Sequence, residues 1–136
     1  MAALSDNLEV NRQDGEIIEY PVAASSTIYK GALVCVNSSG YAVPASDTSN
    51  YVFVGVAVEK ADNSSGSNGD EKVRVYKTGV YEYTKSSATD ADRGTLMYVS
   101  DDQTVATSTT NSIKAGYCVD VVDSSTIKLR IDTVVQ

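Results

Sequence analysis

The reactive side chains of this chain are few and poorly placed for one another. It contains no histidine, which removes Ser-His-Asp and Cys-His activation together with the commonest metal ligand. Cys35 and Cys118 each sit in an apolar, strand-like run, where a lone buried thiol behaves as a small hydrophobe. Only Lys30 and Lys114 lie near them in sequence, so thiolate activation has little support. A disulfide or a functional thiol is the other reading of the pair, since their separation in space is not readable. The remaining nucleophile would be a Ser-Lys pair using Lys85 or Lys114. Every serine cluster, however, lies in a turn-like segment, where serine is expected anyway.

Carboxylates gather in "DNSSGSNGDE" (Asp62 to Glu71), at Asp90 and Asp92, and at Asp101 and Asp102. The first stretch resembles a calcium loop only loosely. Asp62 and Ser64 suit it, but Gly66 comes too early and no glutamate closes the loop at the required spacing. A solvated loop is the simpler reading. Neither Gly-x-x-x-x-Gly-Lys-Ser/Thr nor Gly-x-Gly-x-x-Gly occurs, so nucleotide binding has no footing. A net charge of -7 with scattered Lys and Arg argues against nucleic acid, whose backbone is held by clustered cations. The residues therefore point to a protein that is not an enzyme and takes no cofactor or metal.

The elements that would carry these side chains are strands. Val, Tyr, Thr and Ser dominate, and they favour strands and turns over helices. No apolar run approaches the ~20 residues of a membrane span. The N-terminus lacks a basic start followed by an apolar core, so it does not read as a signal peptide, and synthesis in a cytoplasm is expected. Residues 1–14 are polar, with isolated Leu4, Leu8 and Val10. They read as a short helix, a loose tail or an extended arm. Residues 15–136 read as a single β domain.

Within that domain "GEIIEYPV" is a first strand edged by Pro21. "YVFVGVAVEK" is almost continuously apolar and suits a strand buried on both faces, with Gly55 marking a bulge or a close crossing. "ADNSSGSNGDE" is the clearest loop, and its Asn68-Gly69 suits a tight turn with positive φ. "KVRVYKTGVYEYT" alternates on either side of Gly79, placing Tyr81 and Tyr83 on one face. "KSSATDADRG" holds one helical turn. At most one or two short helices are expected.

Three blocks recur in the same order. Lys30 to Asn37 aligns with Arg93 to Ser100, Phe53 to Glu59 with Lys114 to Asp120 (matching Gly55 to Gly116), and Lys72 to Tyr76 with Lys128 to Asp132. Convergence of strand-and-turn patterns is the bland alternative. A duplicated four-strand unit, spanning about residues 28–76 and 92–132, is the stronger reading. One such unit is mostly edge and cannot hide its apolar face alone; two can close on each other as a small barrel or sandwich.

Nine tyrosines stand against one phenylalanine and no tryptophan. Tyrosine suits a surface buried against a partner or a carbohydrate while its hydroxyl stays wet, so Tyr81 and Tyr83 are candidates for a partner-facing strand. Ordinary core and rim is the structural alternative for both.

The blocks Gly79 to Glu82, Gly94 to Ser100, Thr104 to Thr107, Gly116 to Asp120 and Ile127 to Ile131 resemble, in that order, small tailed-bacteriophage capsid decoration proteins, also called cement proteins. The first half is similar from Glu16 through Val75, with "KGALV" at Lys30 to Val34 and "GVAVE" intact at Gly55 to Glu59. The resemblance covers the chain from about Gly15 onward. Ala32 and Thr95 depart from it, because family members often carry Asp or Glu after the glycine that opens each half. The resemblance implies a β-tulip or barrel domain on the outer surface of an expanded phage head, usually as a homotrimer. Its partner would be the major capsid protein, bound where capsomers meet, and it would stabilise the head against the pressure of packed DNA. No membrane and no direct nucleic-acid contact are implied. Leu4, Leu8 and Val10 would then belong to a capsid-binding arm. The alternative is a non-enzymatic module of a phage fibre or spike, or a carbohydrate-binding domain.

Overall fold

The computed structural model describes residues 3–132 and 134–136; residues 1 and 2 of the proposed arm lie outside them. The chain is all-β apart from one turn of 3-10 helix at Asp90–Asp92. Strands β1 (Ile17–Pro21), β2 (Ser26–Ile28), β3 (Leu33–Val36), β4 (Ala42–Pro44), β5 (Val52–Ala57), β6 (Ala61–Asn63) and β7 (Lys72–Tyr76) form the first half. The second half holds β8 (Val80–Thr84), β9 (Leu96–Val99), β10 (Val105–Ala106), β11 (Lys114–Asp123) and β12 (Thr126–Arg130).

The two sheets repeat one strand order, over more of the chain than the three sequence blocks cover. One 5-stranded sheet runs β1-β7-β5-β3-β4 and the other β8-β12-β11-β9-β10. Each strand of the first therefore has a counterpart at the same place in the second. The unit has five strands rather than four, because "IIEYP" (Ile17 to Pro21) and "VYEYT" (Val80 to Thr84) form a further matching pair. Their flanking strands sit in the same register: Tyr20 faces Val73 and Tyr83 faces Ile127. That register also moves the third sequence block. Lys72 to Tyr76 corresponds to Thr126 to Arg130, two residues earlier than the apolar-Arg-apolar match suggests.

Two glycines fix the correspondence. A side chain on Gly55 would run into the carbonyl of Tyr76, and one on Gly116 into the carbonyl of Arg130. Both stand at a bulge, where pairing skips Val54 in β5 and Ala115 in β11. The expected bulge and the expected close crossing are thus the same place. Bulges sharpen twist, and the sheets curl until their ends meet, through the parallel bridges Val22↔Ala42 and Thr84↔Thr104.

The halves pack by stacking rather than as mirror images. The inward residues Val34, Val54, Val73 and Val75 of the first sheet form one core with Ile28 and Ala61, which lie on the two-stranded ribbon β2-β6. The other face of that sheet carries Leu33, Cys35, Phe53 and Val56. These join Met97, Val99, Ala115, Cys118, Ile127 and Leu129 of the second sheet in the larger core. β5 is therefore buried on both faces, as its continuous apolar run predicts.

Two expectations change. The segment read as pure loop supplies β6: Ala61 and Asn63 point inward while Asp62 points out, an alternation too short and too polar to stand out. The halves also do not close on each other symmetrically: among the described residues the second has no ribbon and takes the outer face of the first as its cover.

Replacing Gly55 or Gly116 with alanine should destabilise the fold by about 2–4 kcal/mol, since backbone rather than a flexible side chain would have to move. Gly15→Ala, with nothing within 4 Å of its added atom, should leave the melting temperature unchanged. Thermal denaturation of the three variants checks this.

Candidate functional site

Most side chains that could have done chemistry are committed to structure, although Lys114 of the two candidate lysines is exposed. Both cysteines are free and buried. Burial pushes the Cys35 thiol up to about 12. It raises Cys118 as well, whose Sγ–H donates to the carbonyl of Asp120 at 3.3 Å. Lys85 Nζ lies 3.2 Å from Asp92 Oδ2, both side chains being 12% exposed, and the Thr89 N–H donates to the same carboxylate oxygen at 2.9 Å. That pair anchors the helical turn. Among the described residues no group of three or more His, Cys, Asp or Glu side chains is placed to hold a metal ion.

Polar contacts then lock one half to the other. The Asp47 carboxylate accepts the N–H groups of Asn111 at 2.9 Å and Thr110 at 3.0 Å, and the Asn111 amide donates back to the Asp47 carbonyl at 3.0 Å. The N–H of Asn111, followed by the other donors, keeps the Asp47 carboxyl below the usual carboxylate range. The Tyr83 hydroxyl donates to the Gly31 carbonyl at 2.6 Å, and burial raises its pKa. Tyr83 is 8% exposed, so its ring serves the junction between halves rather than an open face. Tyr81 is half-buried, donates to the Thr78 carbonyl at 2.8 Å, and packs against Tyr76 with ring centroids 6.0 Å apart. Tyr81 and Tyr83 thus share one face of β8, as alternation predicts, and that face is turned toward the core.

The arm contrasts with all of this. Residues 3–15 are exposed throughout and have no regular structure, which removes the short-helix reading. Leu4, Leu8 and Val10 are 73%, 61% and 71% exposed, and the segment's own contacts are local, such as Arg12 to Asp14 at 3.9 Å. Three apolar side chains held in water on an acidic arm gain nothing from this chain's own body.

Two features escaped the sequence reading. A cleft of about 490 Å3 opens between the halves, lined by Tyr29, Lys30 and Gly31 on one side and Glu82, Asp102 and Thr126 on the other. No local pattern signals it, because its walls come from segments far apart in the sequence. The second is Lys77, whose Nζ donates to the Tyr20 hydroxyl at 2.6 Å and the Val54 carbonyl at 2.7 Å and lies 4.9 Å from the centre of the Tyr20 ring. Its counterpart in the second half is Ile131, which is fully buried.

Comparison with known proteins gives a family. The sequence profile described as "Phage cement protein" matches residues 13–131. No curated protein matches the chain. Among solved structures, the N base of the head fiber gp8.5 in bacteriophage phi29 is similar, at 18% identity and a TM-score of 0.48, over 85% of this chain and 93% of that one.

Burial pulls the Lys77 pKa down from 10.5 to about 8, although its two acceptors hold the proton against that pull. Between those values the unfolded chain binds the proton and the folded chain does not, so folding gains stability as pH rises through this window. The melting temperature of the wild type should climb from pH 8 to 10.5 relative to Lys77→Met. Parallel pH profiles would show that Lys77 stays charged.

Proposed function

Because the chain belongs to the phage cement protein family, we propose that it decorates the outer surface of an expanded phage head. In this reading it binds the major capsid protein where capsomers meet and holds the shell against the pressure of packed DNA. The match across residues 13–131 carries the reading. The body supports it: a doubly curled β core, both thiols and Lys85 withdrawn from solvent, and one long apolar-dotted arm left free. The function is mechanical rather than catalytic, and the protein is virion-associated after synthesis in the host cytoplasm.

Energetics favour a multivalent form of that attachment. Burying Leu4, Leu8 and Val10 would yield about 1.5–3 kcal/mol each. Ordering the arm costs about 1–2 kcal/mol per residue. Three side chains do not repay the ordering of an arm of this length, so retention needs added backbone pairing on the shell and several copies acting together. A homotrimer at a capsomer junction supplies the latter, since each copy after the first binds at high effective concentration.

Co-sedimentation with purified heads of the phage that encodes the chain tests the reading. Saturable binding to expanded heads and not to unexpanded ones is expected, in whole-number copies per junction. Binding to neither form moves the assignment to a fibre, spike or glycan-binding role. Removal of residues 1–13 should leave the melting temperature unchanged and abolish binding; a shortened protein that still saturates heads would refute the role of the arm.

A further inference from the structure

The cleft between the halves is bounded on one side by β8, and β8 is an edge. Its inner side is paired to β12 from Val80↔Arg130 to Thr84↔Thr126. On the outer side, the Thr84 N–H donates to the Gln103 carbonyl at 3.1 Å. Backbone groups along a strand turn to alternate sides with a period of two. Val80 and Glu82 therefore direct their N–H and C=O groups the same way as Thr84. No turn, loop or bridging backbone hydrogen bond of the described residues uses them. Such a row is a template for one more strand. The matching edge in the first half ends in Pro21, which has no N–H to offer; β8 has Thr84 at that position.

The walls of the cleft say what kind of strand would fit. Glu82 is exposed beside the free edge, and Asp102 is half-buried. Burial first, then the neighbouring charge of Asp101, raises the Asp102 carboxyl. Neither Glu82 nor Asp102 forms an ion pair among the described residues, and Lys30 is the one cation lining the cleft. The Tyr29 side chain, 60% exposed, already has the Lys60 ammonium 5.3 Å from its ring centre, so this wall tolerates cations. The volume, about 490 Å3, lies in the range that encloses a small ligand or a few residues of extended chain. The arm of a neighbouring copy has the wrong charge, with Asp6, Glu9 and Asp14 against Arg12.

We propose that this cleft is a docking groove for an extended, lysine- or arginine-bearing segment of the shell protein, which pairs with the free edge of β8 and sets a basic side chain against Glu82 and Asp102. The inference rests on the decoration reading and adds a second contact to the arm. Electrostatic complementarity selects the segment, and backbone pairing fixes its register.

Two full-length variants test it on expanded heads of the encoding phage. Glu82→Pro removes the outward N–H and leaves the ladder to β12 intact. Glu82→Lys combined with Asp102→Asn reverses the charge of the groove; Asp102→Asn alone serves if the double variant melts early. Both variants should keep a melting temperature near that of the wild type and bind heads roughly tenfold more weakly or worse. The charge variant should also lose salt sensitivity. Wild-type affinity in both variants overturns the groove and leaves the decoration reading standing. Failure of the wild type itself to bind heads overturns both.

Discussion

Two backbone crossings set the terms for everything else in this molecule. At Gly55 over the Tyr76 carbonyl and at Gly116 over the Arg130 carbonyl, two strands approach closer than any side chain permits. Each crossing lies at a bulge that bends the central strand of its sheet. Without that bend, five short strands would make a flat sheet with two open edges, which is hard to bury and prone to pair with neighbours. With it, each sheet curls until β1 meets β4 and β8 meets the segment leading into β10. The curl creates a concave face, and the concave face creates the need for a cover.

The two halves meet that need differently, and the difference gives the molecule its polarity. The ribbon β2-β6 covers the first sheet, and the convex side of the first sheet covers the second. Asp47 and Tyr83 then latch the stack with hydrogen bonds that cross from one half to the other. Substitutions at matched positions follow the geometry. Phe53, buried against the second half, corresponds to the exposed Lys114, and buried Val56 to half-exposed Tyr117. Lys77, capping an end that nothing covers, corresponds to buried Ile131.

Much of this was legible in the residues. Alternation located most strands, the two glycines marked equivalent bulges, and a continuous apolar run identified the doubly buried β5. What escaped depends on partners distant in sequence. Ala61 and Asn63 are inward only because β2 lies beside them, and the polar run around them hides a strand of that length. Alternation put Tyr81 and Tyr83 on one face but could not say which face the core would claim, because a five-residue strand reads equally well from either side. The third repeat block slipped by two residues for a related reason: Val73 and Val75 match Leu129 and Ile131 in character as well as they match Ile127 and Leu129. The exposed arm, by contrast, was visible as apolar residues without a periodic setting, and the structure leaves it outside the core.

The stacked cover has a consequence for how the chain is made. The first half can complete its own inner core from its own residues, whereas the second half closes its core only against a surface that the first must already present. Chains emerge from the ribosome with the N-terminal part first, so synthesis delivers the template before the part moulded on it. The interval between them, with Leu33, Cys35 and Phe53 still uncovered, is when a nascent chain is most exposed to a wrong partner. Order of synthesis and order of packing coincide, so the cover is made before the surface that needs it.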